Sequence, residues 1–337
     1  LAGVLALDVP RYTARLVRRG HWVRLGNRID RLDLSPDGTA VRCLDDWASE
    51  LHACTVLPLL GRWLCRRALS EWPIRFAAAP RHAQGPPDLS FVIPHRGAER
   101  VPILLKVLET IFAQEGVSVE CLVVEQDQEQ HIGPLPPPVR YLRAPHAGAP
   151  AAWHKCLAFN AGVRAATAEI VVCHDGDLLV PRRYGAELLK LFKSGLAVAF
   201  PQRFLFYMGE RETRDVLVHG QMPAGATPES IRQNWRGGTL AIRRAAYAHI
   251  GGFDERFVGW TGEDIEFHDR CLTLPGWFHG YIPFVHLWHA PQPTKMGPAR
   301  AANLAFFRDV MGEPRESRIA RLLSAKEPPA PPALPLQ

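Results

Sequence analysis

Three apolar runs, each stopping at a polar cluster and separated by stretches of helical spacing, leave this chain few architectures to choose from. The first run, Leu89-Ser90-Phe91-Val92-Ile93, ends in Pro94-His95-Arg96. Between Val101 and Gln114, Ile103, Leu104, Val107, Leu108, Ile111 and Phe112 then recur at helical spacing. The second run, Val119 to Val124, ends in Glu125-Gln126-Asp127. A further helical pattern from His154 to Ala166 leads into the third run, Ala168 to Cys173, which stops at His174-Asp175-Gly176-Asp177. This order implies parallel pairing, right-handed crossovers and ligand binding beyond the strand ends. The expected class is α/β, with a mostly parallel sheet flanked by helices.

The polar clusters then become candidates for chemistry. Residues i and i+2 of a strand share a face, so Asp175 and Asp177 are expected to converge on one hard cation, Mg²⁺ or Mn²⁺. Asp-x-Asp pairs are also common in solvated turns. Further on, Arg236-Gly237-Gly238-Thr239 supplies glycines for close backbone approach. Glu263 and Asp264 stand where a loop meets a helix, as caps or as a general base, with Trp260 nearby as a flat surface for a sugar ring. His286 and His289 are three apart and can face one cation with Asp177, or can be core histidines. A zinc site is poorly matched, since neither His-Glu-x-x-His nor Cys-x-x-Cys occurs.

In combination these segments, from Leu89 to Phe307, resemble nucleotide-sugar glycosyltransferases of the GT-A fold, a Rossmann-like architecture. The similarity is to the β-1,4-galactosyltransferases and to the broad inverting bacterial family. Phe91-Val92-Ile93-Pro94-His95-Arg96 resembles the family's opening Ile-Pro-Phe-Arg strand, which implies that Pro94 and Arg96 line a uridine pocket. Phe159-Asn160-Ala161-Gly162 resembles its Asn-x-Gly segment. Asp175-Gly176-Asp177-Leu178-Leu179 resembles Asp-Val-Asp-Leu-Ile, whose second Asp binds Mn²⁺. Gly259-Trp260-Thr261-Gly262-Glu263-Asp264 resembles Gly-Trp-Gly-Gly-Glu-Asp, implying Asp264 as catalytic base and Trp260 and Glu263 as donor or acceptor pocket. His286-Leu287-Trp288-His289 stands where the galactosyltransferases have two ligands in Met-x-x-His. Thr261, His95 and His286 depart from the family pattern at a Gly, an aromatic and a Met.

The resemblance implies an inverting, Mn²⁺- or Mg²⁺-dependent transfer of a hexose (Gal, Glc or an N-acetyl form) from a UDP-sugar to a saccharide, lipid-linked or peptide hydroxyl. A divalent ion suits a departing diphosphate, and a base must take the proton of the attacking hydroxyl. Donor contacts are expected at Pro94, Arg96, Glu125, Asp127, Asp175 and Gly238. For Glu125 and Asp127, a solvated acidic turn is the competing expectation. Lys155 is one of few lysines and is either a phosphate contact or a surface charge; Arg236 poses the same choice. A noncatalytic nucleotide or sugar module would share the fold without needing a base. A nucleotidyltransferase would show a Gly-rich basic loop after its first strand, where this chain has Pro94-His95-Arg96-Gly97-Ala98-Glu99.

With 337 residues, 47% of them hydrophobic, the chain suffices for one large domain plus a small one. A net charge of +6, mostly from arginine, suits an anionic nucleotide, an anionic lipid or an acidic acceptor. Nucleic acid is not expected, as neither a basic stripe nor a nucleic-acid motif occurs. Seven scattered cysteines predict reduced thiols and a cytoplasmic setting, with peripheral membrane contact compatible. Apolar stretches break well before the ~20 residues of a membrane span, and no signal peptide is read.

Residues 1–85 are read as an N-terminal subdomain of unknown role, 89–315 as the GT-A domain and 324–337 as a disordered Pro-rich tail. Strands are predicted at 21–25, 31–34 and 39–42, with a turn at 35–38. One long helix or two shorter ones follow over 45–72, with Leu51, Val56, Leu59, Leu60, Trp63, Leu64 and Leu69 as the apolar face. Cys43, Cys54 and Cys65 recur every eleven residues as buried small hydrophobes. Phe204–Ser230 reads as a mobile acceptor loop.

Overall fold

The computed structural model describes residues 32–34, 41–43, 49–77, 85–136, 139–144, 153–259, 262–278, 280–291 and 298–325. The predicted strand at 21–25, the turn at 35–38, Trp260, Thr261 and the tail from 326 lie outside the described residues.

Two sheets carry the fold. The larger has nine strands in the order β1 (Leu32–Leu34), β2 (Val41–Cys43), β13 (Gly276–Trp277), β9 (Val198–Ala199), β12 (Thr239–Arg243), β7 (Ile170–His174), β4 (Leu89–His95), β5 (Val119–Glu125), β6 (Val139–Arg143). The smaller runs β3 (Ser49–Glu50), β11 (Ser230–Gln233), β10 (Gln202–Tyr207), β14 (Ile282–His286), β8 (Leu178–Leu179). The three runs that opened the sequence reading form β4, β5 and β7. They pair in parallel, with β4 between the other two.

Alternation along these strands feeds two cores, which is why their sequences are mostly apolar, Ser90 and Glu120 being buried as a hydrogen-bonded pair. Leu89, Phe91, Ile93, Cys121, Val123, Ile170 and Val172 join one core, with the helices Val101–Phe112 and Tyr184–Lys193 and the smaller sheet. Val92, Leu122, Val124, Val171 and Cys173 join the other, with the helices Lys155–Ala165, Arg244–His249 and Glu263–Cys271. Gly162 is required here, because a Cβ would lie 2.2 Å from Val92 Cγ1 on β4.

β12 runs antiparallel to β7, setting Thr239 beside His174 and Gly238 beside Asp175. Two expectations are corrected. Phe204–Ser230 is largely ordered: it contains most of β10 and the helix Glu210–His219. Gly209 and the left-handed Gly220 bracket that helix, with Glu210 and Glu212 in its first turn, signals hidden by the Gly, Thr and Pro around it. The 45–72 region forms the helices His52–Val56 and Pro58–Glu71, but Val56, Leu59 and Trp63 face outward. Leu51 is buried and Leu60, Leu64 and Leu69 pack against the core as expected, beside the buried Gly61, Cys65 and Ala68 of the second helix. The two predicted strands at 31–34 and 39–42 pair antiparallel and extend the large sheet, while β3 extends the small one. The six cysteines whose side chains are described are free and buried. Among the described residues, no helix is long and apolar enough to cross a membrane.

Candidate active site

The two aspartates of the turn after β7 part company. Asp177 joins His286 and His289, with ligand atoms all within 4.8 Å of one another. Asp175 points instead to Lys155, Oδ1 to Nζ 2.9 Å. The expected convergence of both carboxylates on one cation therefore does not occur. The segment has left the strand at His174, so the i, i+2 rule no longer governs it.

A backbone ladder assembles the Asp177 cluster. β8 pairs antiparallel with β14, opposing His286 to Leu178, and the Leu287 N–H donates to the Asp177 carbonyl at 2.9 Å. Asp177 Oδ1 lies 3.6 Å from His286 Nε2, and Oδ2 lies 3.1 Å from His289 Nε2. Burial pushes Asp177 up, but His286, His289 and Arg100 outweigh it and hold the carboxyl well below its usual range. Burial lowers His286, outweighing the pull of Asp177.

The ring of His286 tests whether a metal fits. Its Nδ1 is buried without a hydrogen-bond partner among the described residues, and its Nε2 is too far from Asp177 for a hydrogen bond. Nε2 is thus open to a cation shared with Asp177 and His289. One carboxylate and two imidazoles suit a transition ion such as Mn²⁺ better than Mg²⁺, which favours oxygen. Arg100 was not anticipated: its guanidinium lies 2.8 Å from His289 Nδ1 and 3.8 Å from Asp177. With Nε2 turned to a cation, His289 Nδ1–H donates to the Ala290 carbonyl at 3.0 Å.

Asp264 sits on the Asp175 side. Lys155 Nζ reaches its carboxylate at 3.2 and 3.3 Å, so one ammonium bridges Asp175 and Asp264. Burial alone would lower Lys155, but Asp175, Asp264 and Glu263 outweigh it and raise it well above the usual range. Asp264 is thus tied to Lys155 at a helix start whose left-handed cap is Gly262. Buried Glu266 and Arg270 pair within that helix, and Arg318 reaches Glu266 at 2.8 Å from the C-terminal helix Arg315–Ser324. Exchanging Lys155 for Met leaves Asp175 and Asp264 without their cation. Each carboxylate is about a quarter exposed, so about 2–3 kcal/mol of stability is expected to go, less than for a fully buried pair. Urea unfolding at pH 7.5 measures it.

Gly237 makes room for the Asp264 carboxylate, since a Cβ there would lie 2.4 Å from Oδ2. Asn234, in the left-handed region at φ 53°, and Gln202, donating to the Trp235 and Gly237 carbonyls, shape that turn. Gly237→Ala is expected to displace Asp264 and to lower kcat about 10–100-fold with nucleotide binding kept. Steady-state kinetics beside nucleotide titration separate the two effects.

His174 holds the turn from beneath. Tyr184 donates to the Thr239 hydroxyl, Thr239 to His174 Nδ1, and His174 Nε2–H to the Leu178 carbonyl. Burial pushes this imidazole down to about 4 from 6.5. Between those values the unfolded chain takes up a proton that the folded chain refuses. Stability from this group is therefore lost as pH falls from 6.5 toward 4, by at most about 1.4 kcal/mol per unit, with no slope above 6.5. Urea melts across that range are expected to show a shallower loss for His174→Gln than for the wild type.

A cavity of 390 Å³ receives these groups. Pro94, Arg96, Asp175, Gly238 and Asp264 line it together with Asp177, His286 and His289. Glu125 and Asp127 do not. Glu125 is fully buried and accepts from the His131 N–H and the Tyr141 hydroxyl, one bond to each oxygen. Asp127 is held by His131 at 3.3 Å and by the Gln128 N–H. Both anchor the loop after β5, so the expected nucleobase contacts are corrected. Glu263 lies behind the wall, and burial and then the Asp264 charge push it up to about 7. The opposite wall presents Tyr207, Arg232 and Trp235. Arg232 lies over both rings, at 4.7 and 4.3 Å, and Tyr207 stacks on His286 at 4.3 Å.

Residues 90–251 match glycosyl transferase family 2, and residues 227–277 match a family described as the N-terminal domain of galactosyltransferase. Together the two matches run over residues 90–277, the stretch that holds Asp175, Asp177 and Asp264. Over 74 residues, 21% of its length, the chain is 36% identical to the N-acetylglucosaminyl-diphospho-decaprenol L-rhamnosyltransferase of two Mycobacterium tuberculosis strains. The match spans 24% of those relatives' own length. Among solved structures, it is similar to a mannosyltransferase from Pyrobaculum calidifontis in complex with GDP-Man and Mn²⁺ (16% identity, TM-score 0.42, 82% of this chain and 79% of that one). It is also similar to a Drosophila β1,4-galactosyltransferase 7 variant in complex with manganese, UDP-Gal and xylobiose (16% identity, TM-score 0.39, 64% and 78%).

Proposed function

We propose that the chain transfers a hexose from a UDP-sugar to a hydroxyl acceptor with inversion, Asp264 serving as general base. One observation carries this reading: Asp264 and the Asp177–His286–His289 cluster line the same cavity, separated by the turn through Asp175. The cluster would hold Mn²⁺, which when bound offsets the charge of the departing diphosphate. Pro94 and Arg96 receive the nucleotide end, and the Arg96 fork suits base or phosphate. The acceptor oxygen attacks C1 as the C1–O bond to the diphosphate breaks, and its proton passes to Asp264. Lys155 keeps that carboxylate oriented. Tyr207, Arg232 and Trp235 form the acceptor wall, with Trp235 39% exposed for stacking on a sugar. The match of residues 227–277 to galactosyltransferases supports a hexose donor. The rhamnosyltransferase relative acts, by its name, on a lipid-linked saccharide, which supports an acceptor of that class.

Thermal melts with a panel of nucleoside diphosphates, each with and without Mn²⁺, test the donor site. A ligand at a hundred times its dissociation constant adds about 2.7 kcal/mol. A shift for UDP that requires Mn²⁺ is expected. No shift with any nucleotide would remove the donor site and favour a module without transfer activity.

A further inference from the structure

We infer that the corner between the helices His52–Val56 and Pro58–Glu71 docks on an anionic lipid bilayer beside the mouth of the cavity. The corner is built the wrong way round for a soluble surface. Val56 is 77% exposed, Leu57 59%, Leu59 73% and Trp63 43%. The run Thr55-Val56-Leu57-Pro58-Leu59 is exposed throughout. Leu60, Leu64 and Leu69 already pack against the core beside Gly61, Cys65 and Ala68, so these exposed residues are surplus to it. A contiguous apolar tip of this kind marks an interaction site.

The charge around the tip selects the partner. Arg62 and Arg66 are exposed on the same outward face as Leu59 and Trp63, one turn apart, and Arg67 flanks them. Glu71, the only acid of that helix, is 3.6 Å from Arg67. Apolar side chains at the tip, a tryptophan one turn behind them and arginines beside it match the layering of a bilayer with anionic headgroups. A protein partner buried on the same tip would have to cover the arginines as well.

Position gives the contact a use. The corner is fixed to the acceptor wall: Glu50 opposes Arg232 in the β3–β11 ladder, and the Leu51 N–H donates to the Ile231 carbonyl at 2.8 Å. Arg62 Nε donates to Thr227 Oγ1 at 2.8 Å, and a Cβ at Gly61 would touch Pro228 at 3.7 Å. Glu229, Ser230 and Arg232, in the same segment, line the cavity. Docking by this corner therefore holds the acceptor wall at the lipid surface, where a lipid-borne saccharide would present its hydroxyl.

The test is flotation of the full chain with phosphatidylcholine vesicles, with and without 30–40% phosphatidylglycerol (about the range of an anionic leaflet), in the absence of nucleotide. Anionic vesicles are expected to carry the protein and neutral ones not. Leu57→Glu with Leu59→Glu is expected to weaken that binding at least tenfold, and Arg66→Glu several-fold. Thermal melts and the UDP–Mn²⁺ shift of these variants should match the wild type, because the three side chains are exposed and away from the cavity. Failure of the wild type to float, or flotation of the double variant like the wild type, would overturn the assignment. So would equal binding to neutral vesicles, or a self-associated wild type that the double variant makes monomeric. Because no donor is present, failure here leaves the reading of the active site standing, and the reverse holds for the nucleotide melts.

Discussion

Asp264→Asn is expected to bind UDP and Mn²⁺ like the wild type and to transfer sugar about a thousandfold more slowly, within the usual 10²–10⁴ range for loss of a general base. The change conserves shape. Gly237 still leaves room for the side chain, and the amide oxygen still accepts from Lys155. What is lost is the oxygen that takes the hydroxyl proton. Single-turnover transfer alongside a nucleotide titration separates the two effects. Wild-type turnover in this variant would reassign the base, and loss of nucleotide binding would make Asp264 a structural residue.

Asp177→Ala is expected to produce the complementary result. Its carboxylate is the member of the cluster that faces both imidazoles, and the ladder between β8 and β14 places it there. Without it, His286 and His289 keep their positions but leave the cluster without its carboxylate ligand. The Mn²⁺-dependent UDP shift should vanish and transfer should fall at least 10²–10³-fold, the scale for loss of one well-placed electrostatic stabiliser. Calorimetric titration of Mn²⁺ into wild type and variant reads the cluster without requiring turnover. An unchanged Mn²⁺ affinity would move the metal elsewhere.

Much of this geometry was legible in the sequence because buried parallel strands advertise themselves. β4, β5 and β7 must fill cores on both faces, so they appear as mostly apolar runs whose polar ends point to the site. The direction of β12 left no such trace, since an apolar strand reads the same either way. Lys155 is separated from Asp264 by 109 positions, and a lone lysine before a helix says nothing of what folds over it. The partners of Glu125, the Tyr141 hydroxyl and the His131 N–H, left no trace either, since its place at a strand end suggested only a ligand contact. In the helix Pro58–Glu71, Leu60, Leu64 and Leu69 face the core as their spacing implies, while Leu59 and Trp63 of the same predicted face lie exposed.

The most direct measurement is the anomeric configuration of the sugar at the first turnover of an α-linked UDP-hexose, followed by proton NMR with Mn²⁺ and with water or a saccharide as acceptor. A single displacement with Asp264 as base requires the β-anomer to appear first. Release of the α-anomer as the first product would contradict the account, because retention needs a second nucleophile that this proposal does not contain.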